Sequence, residues 1–98
     1  MSQQQAEYKV DGWVYLIQPV GHNVYKIGNT TNLEKRITQN IKKLKHSVKL
    51  IHAFRSKNCF HSEQDAHIIF SHAHLVSEWF ILSDKDVAAF CAIKDYEL

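Results

Sequence analysis

An α+β domain is predicted for this chain of 98 residues: a three-stranded antiparallel sheet flanked by helices, in the order ββαβαα. Three observations predict it. Two short apolar runs, 14–17 and 24–28, stand one tight turn apart, as a β-hairpin does. Leu33, Ile37, Ile41 and Leu44 then recur at helical spacing. Residues 48–55 alternate apolar and polar side chains, the period of a strand, and the remaining apolar positions fall at helical spacing.

The first strand is expected over 12–17, with Trp13, Tyr15 and Ile17 on one side and Val14 and Leu16 on the other. Pro19, Gly21 and Asn23 mark the turn, and 24–28 returns. Thr31 with Glu34 has capping-box spacing and opens the first helix, along whose edge Arg36, Asn40 and Lys43 form a polar row. In the third strand Val48, Leu50 and Phe54 are expected on one face. Ser62 is expected to cap a second helix whose stripe is Ala66, Ile69, Phe70 and Ala73. Residues 78–82 read as a short apolar segment; Ser83 with Asp86 opens a last helix that packs through Val87, Phe90 and Cys91.

A single domain is expected over 11–98, after a polar tail over 1–10. The 45% hydrophobic share is that of a globular chain, and no apolar run reaches the roughly 20 residues that span a bilayer. The polar start has no signal-peptide pattern. Cys59 and Cys91 alone give neither a disulfide framework nor a zinc knuckle, so a reducing, cytoplasmic (intracellular) setting is expected.

Charge is unevenly spread. Residues 1–50 hold eight Lys/Arg against three Asp/Glu, a net of +5, while 51–98 hold four against seven, a net of −3. From Lys35 to Lys57 there are eight basic residues and no acidic one. Such a run suits a phosphate backbone, and equally a solvated helix face. Tyr15 on one strand, Lys26 on its partner and Arg36 on the next helix could converge on one phosphate, and the carboxylate of Glu63 arrives later. Each has an ordinary alternative: sheet packing for Tyr15, edge protection for Lys26, an exposed helix cation for Arg36, and a favourable helix-dipole position for Glu63. Gly28 is read as easing a close turn into the helix. The histidines have no metalloprotease spacing and no cysteine pair beside them. Glu78, Trp79 and Phe80 read as core plus a local charge, with a base-stacking platform as the alternative for Trp79.

The ordered set Gly12-x-Val14-Tyr15-Leu16-Ile17, Tyr25-Lys26-Ile27-Gly28, Arg36, Glu63-x-x-x-His67-x-x-Phe70 and Glu78-Trp79-Phe80 resembles the GIY-YIG nuclease superfamily, in its compact phage and bacterial branch that reads KIG at the second motif. The resemblance covers roughly 12–90. It implies a DNA endonuclease using Mg²⁺ or Mn²⁺, without an attached target-recognition domain; a homodimer or a partner protein is left open as the source of specificity, and no membrane is involved. It implies catalytic roles for Tyr15, Lys26, Arg36 and Glu63, with Glu63 as metal ligand and support from Tyr25, Gly28 and Asn40; from the basic run itself, Lys42, Lys43, Lys45 and Lys49 are expected to hold flanking phosphates. Lys26 stands where many members have tyrosine, Asn40 where they often have histidine or tyrosine, and Ser77 where the branch often has glycine. A catalytically weak DNA-binding or accessory module on the same fold is the alternative.

Overall fold

A computed structural model describes residues 9–98; most of the predicted N-terminal tail lies outside the described residues. The chain runs β1 (Gly12–Pro19), β2 (Tyr25–Thr30), α1 (Leu33–Leu44), β3 (Val48–Ser56), α2 (Cys59–Ile69), a 3-10 turn (Ser71–Ala73), β4 (His74–Val76), β5 (Trp79–Phe80) and α3 (Asp84–Cys91). The strands form one five-stranded sheet in the order β3-β1-β2-β5-β4, antiparallel throughout.

This corrects the three-stranded ββαβαα layout. The predicted segment 78–82 contributes only Trp79 and Phe80 to a strand, and His74–Val76 pairs with it. Strands of three and two residues are too short to display a two-residue period. Their turn also lacks the usual glycine or asparagine, because Ser77 takes the left-handed position itself at φ 53°.

Val14, Tyr15, Leu16 and Ile17 are all fully buried. A strand covered on both faces carries a continuous apolar run. On one face Val14, Leu16, Ile27 and Phe54 pack with Ala66, Phe70, Phe80, Leu82 and Phe90 from the elements that follow. Phe90 lies 5.7 Å from Phe54 and 5.9 Å from Phe70, ring centre to ring centre. Tyr15 and Ile17 point to the other face, where α1 lies.

The β1–β3 register shifts between Leu16 and Ile17: Leu16 opposes His52, but Ile17 opposes Leu50. Ile51 is the extra residue and packs against the core, while Leu50 is left 46% exposed. A bulge of this kind reverses the facing of the residues beyond it, so Leu50 does not share a face with Phe54 as predicted.

The caps also differ from expectation. Asn32, not Thr31, caps α1, its side chain accepting from Lys35 N at 3.0 Å. Asn58, not Ser62, caps α2, and Ser62 is a buried residue of that helix. Both helices therefore gain an asparagine oxygen for an orphan N–H. Ile69 and Cys91, expected to pack, are exposed. The Ser83–Asp86 capping box of α3 is present in both directions.

Gly12 and Gly28 are both places where a Cβ has no room. At Gly12 it would lie 2.6 Å from the Thr30 carbonyl oxygen and 2.8 Å from Cys59 Sγ. The obstruction at Gly12 is backbone, which cannot swing away.

Candidate active site

Tyr15 and Gly28 are cross-strand partners, and the Tyr15 ring lies over the glycine. A Cβ there would stand 2.5 Å from Tyr15 Cζ and closer still to the hydroxyl. Gly28 is thus needed to admit the tyrosine ring, not to ease a turn: its φ is not among the positive values. Gly28→Ala is expected to displace the ring and cost about 1–3 kcal/mol in stability, the usual range for overpacking. Thermal melting against a Tyr15→Phe background checks this, because losing the hydroxyl removes one of the two closest obstructions and should soften the effect.

On that face a polar chain runs from strand to helix. Asn40 is the one buried residue of α1. Its Oδ1 accepts from Lys26 Nζ at 2.8 Å, and its Nδ2 donates to the Arg36 carbonyl at 3.0 Å and to the Tyr15 hydroxyl at 3.4 Å. A buried amide needs such partners on both ends. Lys26 Nζ also lies 3.6 Å from Glu78 Oε1. Arg36 donates from Nε to Gln39 Oε1 at 3.1 Å and from a terminal nitrogen to the Asn29 carbonyl at 3.3 Å. Lys26, Arg36, Gln39, Asn40 and Lys43 line one concavity, so the polar row expected along α1 faces the strand lysine. Burial raises the Tyr15 hydroxyl above the usual phenol range, against the opposing pull of Asn40 and Arg36. Tyr15 is therefore protonated at neutral pH, and its hydroxyl accepts from Asn40.

Glu63 belongs to the opposite face. Its Oε1 accepts from Asn29 Nδ2, and its Oε2 lies 3.2 Å from His67 Nε2. The same His67 nitrogen is 3.0 Å from the Ile27 carbonyl. A carbonyl only accepts, so Nε2 carries the proton and is shared between the two oxygens. Burial raises the Glu63 carboxyl above its usual range; Asn29, His67 and Lys26 pull it back and Glu78 adds to the rise. Lys26 and Glu78 thus lie within electrostatic reach of Glu63. The physical link between the two groups is Asn29, whose side chain holds Glu63 while its carbonyl accepts from Arg36. Along β2, pairing with β5 ends at Lys26, so Gly28 and Asn29 lie on a stretch of open edge.

A carboxylate offers about four lone pairs, and Glu63 uses two of them within the protein. Its side chain retains 12% exposure. Among the described residues no three His, Cys, Asp or Glu side chains gather as a ligand cluster. The donor set fits a cation held by one carboxylate, with water and substrate oxygens completing its shell, as magnesium tolerates.

The other predicted residues divide. Lys43 faces the concavity with Lys26 and Arg36, whereas Lys42 lines a neighbouring hollow with Asn32, Glu34, Lys35, Thr38 and Gln39. Lys45 forms the left-handed cap of α1 at φ 53°. Lys49 is exposed on β3. Tyr25 packs against the apolar core, on the face away from Tyr15. Two residues of the site were not singled out from the sequence, Asn29 and Gln39. Asn29 lay beyond the 24–28 run read as the strand; the observed β2 continues to Thr30 and places it on the core-facing row, opposite Val14.

No curated protein and no solved structure matches the chain. The sequence model of the T5orf172 domain matches residues 12–93. That finding corrects the resemblance drawn from the motif order, since the family matched is T5orf172 and not the GIY-YIG superfamily. It is consistent with a general role on DNA. With the match running from the first residue of β1 to just beyond α3, the chain belongs to the T5orf172 domain family.

Proposed function

We propose that this domain is a divalent-metal-dependent DNA endonuclease that hydrolyses phosphodiester bonds, with Tyr15, Lys26, Arg36 and Glu63 as its catalytic residues and Mg²⁺ or Mn²⁺ as its cofactor. The observation that carries the reading is the junction at Asn29, where the Tyr15–Asn40–Lys26 chain and Arg36 on one face of the sheet meet Glu63 on the other. Surface packing alone would not bury an asparagine to hold a lysine beside a tyrosine.

In this reading Arg36 and Lys26 take the phosphate oxygens, and Arg36 offers its planar fork to charge that develops during displacement. Tyr15, protonated and fully buried, acts from beneath the concavity: its hydroxyl accepts from Asn40 and so fixes the amide that holds Lys26 at the phosphate. Asn40 positions both Lys26 and the Tyr15 hydroxyl. Glu63 would hold the cation, which when bound neutralises charge at the phosphate and leaving oxygen. Incubation with supercoiled plasmid, with Mg²⁺ or with chelator, tests it: nicked or linear product only with metal is expected, and an intact plasmid under both conditions refutes it.

Lys42, Lys43, Lys45 and Lys49 are assigned to flanking phosphates. Metal-free binding to duplex DNA should then weaken by about 0.9 log unit per log unit of salt for each phosphate neutralised. Reversing Lys42 and Lys43 to glutamate should flatten the slope by about two contacts. Because Lys43 shares the concavity with Arg36 and Lys42 does not, the Lys43 reversal should cost more affinity of the two. An unchanged slope in the double variant removes these lysines from the interface.

A further inference from the structure

Beside the cationic concavity the surface changes character. Pro19, His22, Val24, Leu44, His46 and Trp79 line a second, largely apolar slot. The two imidazoles meet edge to face, 4.9 Å apart at 78°. None of the three rings belongs to the apolar core, although strand pairing and a Val20–Ser47 backbone bond bring them together. The slot adjoins the proposed site in two ways. Trp79 is the cross-strand partner of Lys26 and stands on the same face of the sheet. Leu44 follows directly on Lys43, which lines the concavity.

We infer that this slot takes one unpaired nucleobase of the DNA strand whose phosphate lies against Lys26 and Arg36, so that the substrate is DNA with an unstacked nucleotide beside the cleaved bond. The inference rests on the proposed nuclease reading and deepens it. Every base has a π-face for an indole or imidazole, and base–aromatic contacts tolerate any sequence. A base inside a duplex is already stacked on both sides and cannot enter such a slot, whereas an unpaired one can turn out at little cost. His46 Nδ1 lies 2.8 Å from the Ser47 carbonyl, which can only accept, so Nδ1 carries a proton and the ring is held in place at the slot. A cationic concavity beside a slot of aromatic rings is complementary to a nucleotide, phosphate in the one and base in the other.

The test uses the full chain without metal and a fluorescent 2-aminopurine in a short duplex, either paired or as a single-nucleotide bulge. The bulged DNA should bind about five- to a hundredfold more tightly, the span that one base–aromatic contact produces, with the fluorophore quenched on binding. Trp79→Ala should remove that preference while leaving the affinity and salt slope for paired duplex unchanged. Since Trp79 pairs within the sheet, the His22→Ala/His46→Ala double variant, in side chains outside any strand, should reduce the preference as well and guards against a folding defect. Equal affinity for both DNAs, or a preference that survives both variants, overturns the inference while leaving the nuclease reading intact. If the variants instead shift the sedimentation of the DNA-free protein, the slot holds a second copy of the chain and the inference is wrong. Failure to bind either DNA overturns the inference and the nuclease reading together.

Discussion

Glu63→Gln is expected to abolish metal-dependent cleavage while sparing the fold and DNA binding. The amide keeps the shape of the carboxylate and keeps one oxygen for the Asn29 donor. It replaces the second oxygen with an N–H₂ group facing His67, at a cost of about one hydrogen bond, ~1 kcal/mol. That cost is offset from another direction. Burial is the largest influence on Glu63 and raises its pKa above the ordinary value of 4.5. A raised folded-state pKa means that the stability tied to Glu63 is fully present below the unfolded value and is lost as pH rises through the folded one. At neutral pH the charged side chain is thus a liability that glutamine lacks, and the variant's melting temperature should equal or exceed that of the parent there. In the proposed role of Glu63 the same shift sets the expected acid limb of metal binding. The carboxyl must lose its proton to take a cation, so Mn²⁺ affinity should begin to fall at a pH above 4.5 as the solution is acidified. Cleavage by Glu63→Gln above a few per cent of the parent rate would remove Glu63 from its assigned role, whatever the state of the fold.

The sequence made β1, β2, α1 and β3 legible because each is long enough to show its period and is bounded by turn or cap residues. The β4–β5 hairpin was not, for the opposite reason: five strand residues and a turn built on Ser77 leave no pattern. The facing of Leu50 was misread because a single extra residue, Ile51, is invisible to alternation until the partner strand is known. The caps were misplaced by one residue at Thr31 and by four at Ser62, where asparagines stood nearby with equal claim. In the site, the row Arg36, Asn40 and Lys43 followed from helical spacing alone. What spacing could not reveal was that Glu63 lies across the sheet from Tyr15 and is joined to Arg36 by Asn29. That depends on two strands and two helices being assembled, and on which side of β2 each side chain leaves. Motif order, in turn, pointed to one family, and the match over 12–93 is to another.

Arg36→Ala should leave a folded, DNA-binding protein that cleaves at least a hundredfold more slowly. The structural contacts of Arg36 are modest: one hydrogen bond to Gln39, its neighbour one turn on in the helix, and one at 3.3 Å to the Asn29 carbonyl. Partly exposed contacts of this kind contribute at most about 1 kcal/mol, so the melting temperature should move by no more than about 4–8 °C. A donor placed on developing phosphoryl charge is worth about 3–4 kcal/mol, roughly 10²–10³ in rate. The two magnitudes do not overlap, and measuring Tm and cleavage rate on one preparation separates them. Arg36→Lys sharpens the test. Lysine keeps the charge, and so keeps most of the affinity for DNA, but a point charge cannot span two phosphate oxygens or reach Gln39 and Asn29 with one plane of donors. It should therefore bind like the parent and cleave more like the alanine variant. Arg36 also stands where the two faces of the site are joined, so its loss could act by releasing Asn29 from its place beside Glu63. Asn29→Ala keeps the carbonyl that accepts from Arg36 and removes only the side-chain donor to Glu63, so a loss much smaller than that of Arg36→Ala shows that the guanidinium acts on the phosphate directly and not through Asn29. Cleavage by Arg36→Ala at near the parent rate would leave the basic face with DNA binding as its only role, and the domain would then be an accessory module that holds DNA without cutting it.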